Sequence, residues 1–85
     1  MKREDILEVV VRHIRLNLDG MDDKEIDPEA SMRTLGATSL DIVEIVSCSM
    51  RDLRLKIPRT RLADAKNING LVDLFLEVAN DGAVV

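Results

Sequence analysis

The sequence predicts an all-α fold, a small four-helix bundle of three main helices and one short helix. Three observations carry this. Apolar residues recur at i, i+3 and i+4 in three separate stretches, the spacing of one helix face. A single Phe with no Trp or Tyr weighs against strands, which favour aromatic and β-branched residues. A chain of 85 residues supports one core and no more. Residues 1–80 form the domain on this reading, and 81–85 a frayed tail.

The first helix is predicted from Arg3 to Leu18. Ile6, Leu7, Val10, Val11, Ile14 and Leu18 make its apolar stripe, and Asn17 through Gly20 its stop. A long connection follows from Asp19 to Thr38, interrupted by Gly20, Pro28 and Gly36 and anchored by Met32 and Leu35. Connections of this length in small domains are uncommon and often functional. The second helix starts at Ser39 or just before it. Thr38 and Ser39 are both capable N-caps, and Asp41 complements the dipole in the first turn. Ile42, Val43, Ile45, Val46, Ser49, Met50 and Leu53 share one sector of this helix. Leu40 falls on the polar side, so a large apolar side chain is expected to stand exposed beside Ser39.

Pro58 ends helical character, because the residue before a proline is pushed toward extended geometry. Ile57 is expected to point inward. One short helical turn is predicted over Arg61–Ala65. Asn67 caps a last helix from Ile68 to Ala79, whose stripe is Ile68, Leu71, Val72, Phe75, Val78 and Ala79, and Asn80-Asp81-Gly82 ends it.

Composition excludes several functions. One Cys cannot make an internal disulfide or a Cys-rich zinc site. No stretch reaches the roughly 20 apolar residues of a membrane span. The charged start resembles no signal peptide, and the cytoplasm is the expected location. A net charge of −4 and the lack of aromatic platforms argue against nucleic acid. That charge is uneven. Residues 1–30 carry −4, whereas residues 51–61 carry +4 through Arg51, Arg54, Lys56, Arg59 and Arg61. The ordinary reading of such a run is a solvated basic face.

No metal site or self-contained catalytic set emerges. His13, the single histidine, sits at the edge of the first stripe with no evident partner and reads as a partly covered surface residue. Cys48 lies toward the polar side of the second helix and reads as inert. Met21, Met32 and Met50 read as gap-filling core residues rather than ligands. Without a base or oxyanion hole for Ser39, intrinsic catalysis is rejected. Ser39 alone would be read as a cap.

Its surroundings change that reading. Gly36-Ala37-Thr38-Ser39-Leu40-Asp41, followed by Val43, Glu44, Ile45 and Val46, resembles the Asp-Ser-Leu region of acyl carrier proteins. The likeness covers most of the chain: acidic first helix, long loop, serine-opened helix, Ile57-Pro58, short third element and closing helix. It makes residues 1–80 an acyl carrier domain. It implies that Ser39 carries 4′-phosphopantetheine, attached by a phosphopantetheinyl transferase, while partner enzymes do the chemistry. It also implies partner-recognition roles for Leu40, Asp41, Val43 and Glu44. Thr38 stands where the family usually has Asp, which removes one negative charge from the recognition helix. Together with the basic segment, of which Arg54 and Arg59 are candidate partner contacts, it sets the chain apart from strongly acidic fatty-acid carriers.

A narrower likeness rests on Met50-Arg51-Asp52-Leu53-Arg54-Leu55-Lys56-Ile57-Pro58, Ala65-Lys66-Asn67-Ile68 and Leu71-Val72-Asp73-Leu74. These segments resemble stand-alone donor carriers of polyketide β-branching cassettes. The resemblance implies loading by a malonyl-loading acyltransferase and conversion to acetyl by a ketosynthase-like decarboxylase. The acetyl group then goes to a 3-hydroxy-3-methylglutaryl (HMG) synthase-like enzyme. The carrier itself is expected to be monomeric. The alternatives are a general fatty-acid or extender-unit carrier, and a helical interaction module that is never modified.

Overall fold

In a computed structural model, which describes residues 1–21 and 24–80, four helices follow in the predicted order. They are α1 (Arg3–Asn17), α2 (Ser39–Leu53), α3 (Arg59–Leu62) and α4 (Ile68–Asn80). No strand occurs among the described residues. The tail predicted over 81–85, with the Asp81-Gly82 stop, lies outside them.

The apolar stripes meet in one core. α1 packs against both α2 and α4. Ile6, Val10 and Ile14 of α1 are fully buried with Ile45 of α2 and with Ile68, Val72 and Phe75 of α4. Leu7 and Val11 are half-covered at the margin, and Leu18 is buried just past the helix end. The core is aliphatic apart from Phe75. Ser49, the one fully buried polar side chain among the described residues, donates its hydroxyl to the Ile45 carbonyl one turn back at 2.7 Å.

The helix ends differ from expectation in two places. Pro58 is not what stops α2. That helix closes at Leu53 because Arg54 adopts a left-handed conformation, φ 56°, and two reversed hydrogen bonds follow. Leu55 N–H reaches the Met50 carbonyl at 2.9 Å and Arg54 N–H reaches Arg51 at 3.2 Å, a Schellman ending with buried Leu55 as its apolar contact. Pro58 instead opens α3, which spans Arg59–Leu62 rather than 61–65. The proline φ of −61° suits a helix entry, and its carbonyl accepts from Arg61 and Leu62. Ile57 is buried, as expected.

Residues 28–30 of the long connection are placed by what they cap. A helix start leaves four N–H groups without internal acceptors. At α4 three of them are met: Ile68 N–H by the Ala30 carbonyl, Asn69 N–H by Pro28, and Gly70 N–H by the Asn67 side chain at 2.7 Å. Ile26, Met32 and Ala37 are buried along the same connection. The loop is thus pinned to α4 at Pro28 and Ala30 and delivers its end to the start of α2.

Candidate functional site

Ser39 is the first residue of α2, and it is exposed. Its position is set by a reciprocal cap. The Asp41 N–H donates to the Thr38 hydroxyl at 3.2 Å, and the Thr38 N–H donates to the Asp41 carboxylate at 3.0 Å. Thr38 is therefore the N-cap, and Ser39 is released from capping. The N–H groups of Ser39 and Leu40 have no acceptor among the described residues. A hydroxyl at solvent, flanked by free N–H groups at a helix start, is suited to bearing an anionic group.

Sequence reasoning missed the next neighbour. Arg33 donates from Nη2 to Ser39 Oγ at 3.2 Å. The turn over residues 32–37 brings it there: Gly36 N–H bonds to the Arg33 carbonyl, Ala37 N–H bonds to Met32, and Gly36 holds φ +100°. That backbone conformation is open to glycine and strained for other residues. The signal available in sequence was this glycine three residues after an unassigned arginine.

Of the residues expected to meet partners, Leu40, Asp41, Val43 and Glu44 follow Ser39 in the first turns of α2, whereas Arg54 and Arg59 lie at its far end and on α3. Leu40 is 81% exposed, as predicted. Val43 is 54% exposed and does not belong to the core sector to which periodicity assigned it. It lies at the margin of the stripe, where no neighbouring element covers it. Leu40 and Val43 together give the start of α2 an exposed apolar face. Glu44 stands exposed and accepts the Cys48 thiol at 3.4 Å. That hydrogen bond, with desolvation and the Glu44 charge, pushes the thiol pKa up, so Cys48 is held as the unreactive thiol.

Beside Ser39 lies a cleft between the loop, α2, α3 and α4, lined by Met32, Arg33, Ile42, Val46, Leu62 and Leu71. At ≈ 140 Å³ it falls below the roughly 300–1,000 Å³ of ordinary small-molecule sites. No group of three or more metal-ligating side chains occurs among the described residues. Among them, no helix is long and apolar enough to cross a membrane.

The structure corrects the reading of His13 as partnerless. Its Nε2 lies 2.6 Å from Asp52 Oδ2, and Arg12 donates to the same oxygen at 3.1 Å. The cluster ties α1 to the end of α2, and it holds the Asp52 pKa below its ordinary range, the His13 hydrogen bond being the largest cause. It is a staple away from Ser39. In the basic segment, Arg61 pairs with Glu77 at 3.1 Å, whereas Arg51, Arg54, Lys56 and Arg59 are exposed with no carboxylate partner among the described residues.

Residues 8–75 match the family model described as a phosphopantetheine attachment site. Over 77 residues the chain is 36% identical to the polyketide biosynthesis acyl-carrier-protein AcpK of Bacillus subtilis, covering 91% of this chain and 94% of that one. The chain belongs to the acyl carrier proteins. It is also 33% identical to an acyl carrier protein of Rubrobacter xylanophilus, over 91% of this carrier and 95% of that one. The carrier superposes with a TM-score of 0.82 and 39% identity on a chain from the crystal structure of the curacin biosynthetic pathway HMG synthase in complex with acetyl donor-ACP. The match covers 88% of the carrier and 96% of that chain. The family carries a covalently attached 4′-phosphopantetheine arm. The residues at the start of α2 fit such an arm: an exposed hydroxyl to esterify and a guanidinium at 3.2 Å from it.

Proposed function

We propose that this carrier bears its arm on Ser39 and serves as the acetyl donor to an HMG synthase-like enzyme during polyketide β-branching. The observation that carries the attachment is the exposed Ser39 hydroxyl at the first residue of α2, freed from capping by Thr38. A phosphopantetheinyl transferase would join Ser39 Oγ to the phosphorus of coenzyme A. The serine proton is lost, a new P–O bond forms to the pantetheine-side phosphorus, and the pyrophosphate bond breaks to release 3′,5′-adenosine bisphosphate. When attached, the arm supplies a thiol on which acyl groups are held as activated thioesters.

The chain's own residues present that arm and its partners' docking face. Leu40 and Val43 offer apolar anchors, flanked by Asp41 and Glu44. Arg54 and Arg59 add a basic edge at the far end of α2 and on α3. Support for the donor role comes from the 39% identity to a chain solved with an HMG synthase and from the AcpK likeness. The carrier would receive malonyl from an acyltransferase, and a ketosynthase-like decarboxylase would release carbon dioxide to leave acetyl. The synthase would then join the acetyl methyl carbon to a β-ketone on a second carrier. The carrier works as a cytoplasmic monomer and catalyses none of these steps.

The test has two stages. Incubation with coenzyme A and a promiscuous transferase should add one phosphopantetheine to the intact mass, and Ser39→Ala should abolish the gain. Acetyl-loaded carrier should then be consumed by an HMG synthase-like enzyme in preference to an acetyl-loaded fatty-acid carrier. No mass gain would leave an unmodified interaction module. A mass gain with no synthase preference would leave a general fatty-acid or extender-unit carrier.

A further inference from the structure

We propose that Arg33 is a positioning residue that grips the phosphodiester of the arm at its root. The proposal rests on Ser39 as the attachment point. Arg33 Nη2 donates to Ser39 Oγ at 3.2 Å, although Arg33 precedes it by a full loop turn. The turn that places it is well tied. Leu35 N–H bonds to Ser31 and Met32, Gly36 N–H to Arg33 and Ala37 N–H to Met32, all within 3.3 Å. Arg33 has no carboxylate partner among the described residues, so its charge is available.

Esterification changes what the guanidinium faces. The serine oxygen becomes a bridging ester oxygen, a poor acceptor. The negative charge then lies on the two non-bridging phosphate oxygens, only two bonds from Oγ. A planar guanidinium can address two such oxygens at once. The local charge favours this exchange. Residue 38 is a neutral threonine, and the Asp41 carboxylate is turned back onto the Thr38 N–H at 3.0 Å rather than onto Arg33. Arg33 also forms one wall of the cleft. An arm held at its root by Arg33 therefore starts on the cleft side of α2 and sweeps a narrower range than one held only by the ester bond.

The test uses the full chain, apo and holo, as wild type, Arg33→Gln and Arg33→Lys, each checked for complete loading by intact mass. Two resonances report the contact: the phosphorus signal of the holo protein and the side-chain Nε–H of Arg33. Loading should shift the Arg33 Nε–H. The phosphorus signal should differ between wild type and Arg33→Gln, with Arg33→Lys intermediate. Exposed pairs of this kind favour the held over the free state by roughly 1.4- to 5-fold, so these are averaged shifts. Both should shrink at about 0.5 M salt, where the screening length falls to a few ångströms. Complete loading with an unmoved Arg33 signal and identical phosphorus signals would overturn the role of Arg33 while leaving Ser39 intact. No loading of the wild type would overturn both.

Discussion

Replacing Thr38 tests how much the reciprocal cap holds the start of α2. The Thr38 hydroxyl accepts from Asp41 N–H at 3.2 Å, and the Asp41 carboxylate accepts from Thr38 N–H at 3.0 Å. Thr38→Ala deletes the first bond and keeps the second. The expected loss is about 1 kcal/mol, the usual cost of removing an N-cap oxygen. For 85 residues at about 2.1 cal/mol/K each, the unfolding entropy is about 0.18 kcal/mol/K, so the Tm should fall by about 5–6 °C. Thr38→Asp restores both the acceptor and the residue usual in the family, and should melt within about 2 °C of wild type. It adds a carboxylate next to Asp41, so salt should raise its Tm more than it raises that of Thr38→Ala. Thermal unfolding followed by far-UV circular dichroism reads all of this. If Thr38→Asp melts as low as Thr38→Ala, the side-chain acceptor is not what stabilises α2. If neither moves, the Thr38 hydroxyl contributes nothing to the stability of α2.

Three further outcomes follow from the geometry. Asp52→Asn should lower stability at neutral pH by breaking the contacts to His13 and Arg12. The folded pKa of Asp52 is depressed, so its contribution is present above the unfolded carboxylate range near pH 4 and lost as pH falls through the folded value. Urea midpoints for wild type and variant should therefore differ at neutral pH and converge in acid; a gap of constant size would refute the linkage. Glu44→Gln in a Ser39→Ala background, which leaves Cys48 as the only thiol, should speed thiol labelling at neutral pH, because the group that raises the Cys48 pKa loses its charge. Arg54→Gly should raise the Tm by about 5 °C, since a left-handed residue other than glycine costs roughly 1 kcal/mol at the end of α2; an unchanged or lower Tm would mean that the Arg54 side chain compensates for its backbone.

The parts of this fold that were legible in sequence are those governed by local rules. The stripe of α1 needs only its own spacing, and the Asn67 cap acts within four residues, so both were readable. Leu40 was expected to stand exposed beside Ser39 for the same reason, since its angular position opposes the core sector, and it is 81% exposed. Val43 failed because it sits at the edge of that sector. Whether an edge residue is covered depends on the neighbouring element, not on its own helix.

What the sequence concealed was pairing across long separations and the shape of the connection. His13 and Asp52 meet only because α1 packs on α2, and neither residue carries a local sign of the other. Ile26 and Ala37 are buried in a segment without periodicity, so no template points to them. The same segment builds half of the candidate site. Its carbonyls at Pro28 and Ala30 complete the start of α4, and that attachment fixes where the turn over residues 32–37 lies. Gly36 then reverses the chain and sets Arg33 beside Ser39. A serine at a helix start is a common cap. Here two loop residues alter its chemistry, Thr38 by taking over the capping and Arg33 by supplying a cation, and both depend on a backbone path that only the tertiary hydrogen bonds determine.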